Sequence, residues 1–107
     1  RMVLVVINNN GGGIFSMLPI AQHGGPFERF FGTPHDLTLA AAAEMFGLDY
    51  LAPITHGEFV AAYRYALVQP GSTLIEVQTD REENADEHRA LAALVAERVQ
   101  DVVGRAR

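Results

Sequence analysis

The run Met2-Val3-Leu4-Val5-Val6-Ile7, followed at once by Asn8-Asn9-Asn10-Gly11-Gly12-Gly13, constrains this chain more than any other feature. A segment that is apolar on both faces suits the interior of a parallel sheet, where helices cover both sides. Each parallel neighbour must then arrive through a crossover, because a tight hairpin cannot supply one. The run stands almost at the start of the sequence, so it reads as a central strand whose neighbours come from elsewhere, and the chain as a piece of something longer. Asn tolerates left-handed backbone and Gly accepts nearly any, so the strand stops where they begin.

Downstream, Ile14 to Leu18 is predicted to be a short helix that Pro19 ends or bends. Residues 22–34 carry Gly24, Gly25, Pro26, Gly32 and Pro34 and read as a long loop or lid, with a turn at Phe27 to Phe31. Asp36 is the expected N-cap of a helix from Leu37 to Phe46, which Gly47 stops. A short strand follows over Asp49 to Ala52. Thr55 then caps a helix from His56 to Val68, with Glu58 as its capping-box partner and Phe59, Ala62, Tyr63 and Ala66 on one face. Ser72 to Asp80 is a strand with a more polar face, as expected nearer a sheet edge. The stretch Arg81 to Glu87 reads as an acidic approach to a closing amphipathic helix from Ala85 to Val103, whose stripe is Leu91, Leu94, Val95, Val99 and Val102. This alternation predicts an α/β fold: a parallel sheet with helices on both faces and right-handed crossovers.

Composition removes several classes of function. A chain of 107 residues that is 49% hydrophobic can bury one modest core. It has no Cys, hence neither disulfides nor thiolate metal sites. The net charge is −5 and all eight basic residues are Arg, scattered from Arg1 to Arg107, which argues against nucleic acid. No apolar run reaches the ~20 residues of a membrane span, and the start lacks the pattern of a signal peptide, so a soluble, cytoplasmic protein is expected.

Ligands of open parallel sheets collect at the carboxyl ends of strands, the place that Asn8 to Gly13 occupies. Asn side-chain oxygens are hard neutral donors suited to Mg²⁺, and Gly carbonyls can turn toward a metal without a Cβ clash. A plain flexible turn is the other reading of the same residues.

The wider string Val5-Val6-Ile7-Asn8-Asn9-Asn10-Gly11-Gly12-Gly13-Ile14-Phe15-Ser16-Met17-Leu18-Pro19 resembles the closing half of the thiamin-diphosphate motif, which opens elsewhere with Gly-Asp-Gly. Together with Phe27-Glu28-Arg29-Phe30-Phe31-Gly32-Thr33-Pro34-His35, it resembles the 2-succinyl-5-enolpyruvyl-6-hydroxy-3-cyclohexene-1-carboxylate synthases of menaquinone biosynthesis. The resemblance extends more loosely through Ile75-Glu76-Val77 to the final helix. It implies the C-terminal portion of a diphosphate-binding domain over residues 1–107, with thiamin diphosphate and Mg²⁺, or Mn²⁺ in its place, as cofactors.

By the same resemblance, Asn9 ligates the metal through its side chain and Gly11 through its carbonyl. Asn10 and Gly12 line the diphosphate pocket, and Ile14, Phe15 and Leu18 form an apolar wall beside cofactor and substrate. The parent enzyme is then a homodimer or homotetramer that decarboxylates 2-oxoglutarate and adds the succinyl unit to isochorismate. No Gly-Asp-Gly occurs in this chain, and the Glu that activates the cofactor sits in another domain and reaches over from a partner subunit. The segment alone is therefore expected to be catalytically silent and prone to self-associate. An acetolactate-synthase or decarboxylase relative is the second reading, which the segment from Phe27 to His35 disfavours. A stand-alone α/β phosphate-binding or interaction module is the third.

Other residues carry weaker signals. Arg29 suits a substrate carboxylate but equally a solvated loop. His35 beside Asp36 makes a poor dyad, because neighbours in sequence rarely face one site. His23, His56 and His88 lack metal-ligand spacing. Phe27, Phe30 and Phe31 read as the packing anchor of their loop.

Overall fold

Val3–Asn8 forms strand β1 in the computed structural model, which describes residues 1–105. Strands β2 (Asp49–Leu51) and β3 (Thr73–Gln78) complete a parallel sheet in the order β1-β3-β2. The fold class is thus α/β, as the alternation of elements predicts, but the placement of the strands is not. The most polar of the three predicted strands is central: β3 pairs with β1 from Val3↔Thr73 to Asn8↔Gln78 and with β2 from Asp49↔Thr73 to Leu51↔Ile75. Flanked on both edges, Thr73, Leu74, Ile75 and Glu76 are all buried. The apolar β1 lies at an edge of this sheet, with Val5 41% and Ile7 61% exposed.

Between β1 and β2 the chain is more regular than its Gly and Pro content suggests. A 3₁₀ turn at Ile14–Met17 is followed by another at Pro19–His23, so Pro19 opens a turn instead of closing one, as its fixed φ permits at a first position. The expected irregular loop is instead a helical turn α1 (Gly24–Phe27) continued by a wide π-type turn at Glu28–Gly32. Phe27 is the anchor: it is buried and stacks on Phe31 with centroids 6.3 Å apart, while Phe15 meets Phe31 edge-on at 5.5 Å. Phe30 takes no part and stays exposed.

Helix α2 is shorter than expected, Ala40–Met45, and Leu39 rather than Asp36 precedes it. Asp36 instead has left-handed backbone, φ 52°, and is bonded elsewhere. Helix α3 (His56–Val68) starts and ends as predicted: the Thr55 hydroxyl accepts the Glu58 N–H, and the Glu58 carboxylate accepts the N–H groups of Ile54 and Thr55. Those two backbone bonds hold the Glu58 carboxyl below its usual pKa.

Helix α4 spans Arg81–Arg105 and begins four residues earlier than its apolar period suggests. Asp80 is the reason, because its carboxylate accepts the N–H groups of both Glu82 and Glu83. The acidic run is therefore the first turns of the helix and not an approach to it. The expected closing function also fails within this chain: Leu91, Leu94, Val95, Val99 and Val102 are 50–69% exposed. Only the first part of α4 is docked, through buried Ala85 and through Arg89, which reaches the Ser16 carbonyl. Among the described residues no helix is long and apolar enough to cross a membrane.

Candidate functional site at the carboxyl edge of the sheet

Because β1 and β3 are in register through Asn8↔Gln78, the segments 9–13 and 79–81 leave the sheet side by side. Between them lies a hollow of about 180 Å³ lined by Asn9, Asn10, Glu28, Thr79, Asp80, Arg81 and Glu82. Parallel strands oblige both chains to turn away here, one into a glycine-rich turn and the other into a helix N-terminus.

The three successive Asn residues are used differently. The Asn8 Nδ2 donates to Glu76 Oε1 at 2.5 Å and to the Leu37 carbonyl, and its Oδ1 accepts the Asn10 N–H at 3.0 Å. Asn10, with left-handed φ of 55°, donates from Nδ2 to Asp36 and accepts the N–H groups of His35 and Asp36 at its Oδ1. Its side chain thus ties down the 35–36 segment. The amide of Asn9, half-buried beside the hollow, has no hydrogen-bond partner among the described residues.

The glycines are needed for close approach. A Cβ on Gly11, whose φ is +133°, would stand 2.2 Å from the Gly32 carbonyl oxygen, and one on Gly12 would stand 2.6 Å from that of Phe31. The Gly12 N–H donates to the Gly32 carbonyl at 2.8 Å, so turn and wide helical turn are stitched backbone to backbone. Gly13 leaves room for the Asn9 amide, whose Nδ2 lies 2.8 Å from where a Cβ would be.

Two charged residues overlooked in the sequence organise this edge. Glu76 is fully buried in β3, and its Oε2 accepts the Tyr50 hydroxyl at 2.6 Å and the Leu39 N–H at 2.9 Å. Burial pushes its pKa up, but the bonds from Tyr50, Asn8 and Leu39 and the charge of His35 prevail and hold it below the usual carboxylate value. Tyr50 is correspondingly pushed up to about 12, first by its bond to Glu76. Arg81, 12% exposed, pairs with Glu28 at 2.8 Å and fixes the wide turn to α4. A charged residue inside the run Leu74-Ile75-Glu76-Val77 was a usable signal, since buried carboxylates demand partners. Arg81 gave none beyond following the helix cap.

The remaining candidates are not gathered into one hollow. Leu18 borders a larger open depression of about 570 Å³ with Phe27, Glu28, Ala85 and Arg89. Ile14 is 73% exposed, and Phe15 packs on Phe31. Arg29 is exposed and lies over the Phe30 ring at 5.2 Å; Glu28 turns instead to Arg81. His35 is exposed, and its Nδ1 accepts the Leu37 N–H. Among the described residues no group of three His, Cys, Asp or Glu stands together as a metal centre.

A three-stranded parallel sheet with helices between its strands, and an Asn-Gly turn stitched to neighbouring backbone at its carboxyl edge, defines an open α/β protein. No protein-family model matches the chain. It is 58% identical over 89 residues to the 2-succinyl-5-enolpyruvyl-6-hydroxy-3-cyclohexene-1-carboxylate synthase of Rubrobacter xylanophilus, covering 83% of this chain and 16% of that relative. It is 51% identical over 99 residues to the synthase of the same name from Geobacillus thermodenitrificans, covering 92% and 17%. With that of Chlorobium chlorochromatii it shares 52% over 90 residues, covering 84% and 15%. The chain belongs, as a segment, to this synthase family, and it spans 15–17% of the length of these relatives.

Proposed function

We propose that the chain is the part of such a synthase that completes the Mg²⁺-diphosphate site of thiamin diphosphate. In this reading the parent protein decarboxylates 2-oxoglutarate and joins the succinyl unit to isochorismate in menaquinone biosynthesis. The observation that carries it is the inequality of the Asn residues: Asn8 and Asn10 are fully engaged inside the fold, while Asn9 keeps a free amide at the hollow.

The residues present fit the cation as a partial ligand set. The Asn9 Oδ1 and the Gly11 carbonyl are hard, neutral oxygens, and Mg²⁺ takes about six such ligands, the remainder coming from diphosphate, water and a carboxylate outside this chain. When bound, thiamin diphosphate supplies the nucleophilic carbon that takes up the 2-oxo acid and lets CO₂ leave. The chain's own residues hold and shield. Asn9 and Gly11 anchor the cation, Asn10 and Gly12 shape the turn around the diphosphate, and Ile14, Phe15 and Leu18 present apolar surface that keeps water from the reacting carbon. Arg29 faces solvent, where a guanidinium can meet a substrate carboxylate.

The test is calorimetry of the full-length protein with thiamin diphosphate and Mg²⁺. Binding that Asn9→Ala weakens by about 100-fold is expected, with the 107-residue chain silent by itself. Absence of binding, or an Asn9→Ala protein that binds as the parent does, overturns the reading.

A further inference from the structure

Glu76 presents a problem that the site as described does not solve. A carboxylate buried in the central strand is costly, and an apolar residue of similar volume there would be cheaper to bury. The reason for a charged group should therefore lie in what it holds. Its two oxygens divide the work: Oε2 takes Tyr50 and Leu39, which fixes the carboxylate in place, and Oε1 takes the Asn8 amide. A carboxylate only accepts, so Asn8 must turn its Nδ2 inward, where the Leu37 carbonyl also receives it. The opposite end of the same amide, Oδ1, is then left facing the Asn10 N–H, and it accepts it at 3.0 Å. That bond closes the turn in which Asn9 stands, and Asn10 follows it with a left-handed φ of 55°.

We infer that Glu76 is a positioning residue for the Asn9–Gly11 turn, acting by dictating which way the Asn8 amide faces. This rests on the reading of Asn9 and Gly11 as cation ligands. Replacement of Glu76 by Gln keeps the shape and lets one oxygen still serve Tyr50 and Leu39, but it sets an NH₂ against the NH₂ of Asn8. The Asn8 amide then turns over, and the Asn10 N–H loses its acceptor. Replacing Asn8 by Asp as well restores the acceptor, because one of the new carboxylate oxygens accepts from the introduced amide while the other accepts the Asn10 N–H; only the exposed bond to the Leu37 carbonyl is forfeited.

The experiment titrates Mg²⁺ into the full-length protein in the presence of thiamin diphosphate by calorimetry, with circular dichroism as a check on folding. Glu76→Gln and Asn8→Asp are each expected to weaken the metal by about 10- to 100-fold, the range for groups that orient a ligand from behind. The double variant Glu76→Gln with Asn8→Asp is expected to recover most of that loss, a non-additivity that independent sites do not show. Asn8→Ala, which leaves the carboxylate its Tyr50 and Leu39 donors, carries the same test should Glu76→Gln fail to fold; it weakens the metal to the same degree. Affinity within about twofold of the parent in Glu76→Gln or Asn8→Ala overturns the inference, as does a double variant that simply adds the two losses. Where Asn9→Ala abolishes binding and these variants do not affect it, the cation site stands and only the role of Glu76 falls. Where Asn9→Ala is also without effect, both fall.

Discussion

The carboxyl edge of the sheet and the far half of α4 are built on opposite plans. At the edge, Asn8, Asn10, Asp36, Leu39, Tyr50 and Glu76 satisfy one another, and Gly11 and Gly12 are pressed against the backbone of 31–32. Along α4 beyond Arg89, an apolar stripe faces outward, and none of the described residues covers it. The first region is internally determined, so its shape is a property of these residues alone. The second carries a pattern that other surfaces must complete, whether from the rest of the synthase or from a second copy. Substitutions at the two places should therefore differ in size and in what they depend on.

The largest effect belongs to Gly11→Ala. The added methyl would meet the Gly32 carbonyl at 2.2 Å in a backbone region that L residues rarely enter, and neither backbone can yield without breaking the Gly12–Gly32 bond. A loss of about 4 kcal/mol or more is expected in urea titration of the full-length protein. Gly57→Ala is the internal control: it lies in α3 with open space around it and should gain up to about 1 kcal/mol. Equal behaviour of the two would mean that the turn is soft, and the contrast drawn above would dissolve.

Tyr50→Phe comes next, with an expected cost of about 1.5–3 kcal/mol for removing a hydroxyl bonded to a buried charge. The pH profile sharpens this. Tyr50 is raised from 10.0 to about 12, so the stability it contributes is complete below its unfolded value and is lost as pH climbs from about 10 toward 12. Glu76 is lowered, so its contribution is complete above its unfolded value of 4.5 and is lost as pH falls below that. Tyr50→Phe should flatten the alkaline arm of the stability curve and also shrink the acid arm, because the same hydroxyl is the first of the bonds that lower Glu76; an unchanged alkaline arm would place its origin elsewhere.

Thr55→Ala is smaller again, about 1 kcal/mol, because it removes one hydrogen bond, from the Glu58 N–H, at an exposed helix end. Thermal unfolding of the full-length protein measures it, and a loss several times larger would show that α3 bears on the sheet more than its start suggests.

The pattern of these effects follows what could be read from the sequence. The Thr55 capping box, the stop of α3 and the β1 run were legible because local chemistry decides them. The site turn was legible as composition: Asn and Gly announced left-handed backbone and close approach, and Asn10 and Gly11 supply both. What escaped was long-range pairing. Glu76 looked like the polar face of an edge strand because alternation cannot say that Asn8 and Tyr50, 68 and 26 residues away, will meet its oxygens. Asp36 looked like a cap because no local signal shows that Asn10 claims its backbone N–H. The stretch 22–34 looked irregular because stacked Phe27 and Phe31 and the Arg81–Glu28 pair regularise it from a distance.

Leu94→Gln on α4 is expected to have the smallest effect in the 107-residue chain, and it tests the other half of the comparison. Leu94 is 50% exposed there, so its replacement removes little buried area and should shift stability by no more than about 0.5 kcal/mol. In the full-length synthase the same change should cost about 2 kcal/mol or more if other parts of that protein cover the stripe, which is the usual scale for a buried Leu. Denaturation of both proteins at two concentrations separates the cases. A large, concentration-dependent loss in the short chain would mean that copies of it already cover each other through this helix. A small effect in both would mean that the stripe is solvated even in the complete enzyme, and α4 beyond Arg89 would then need no covering surface at all.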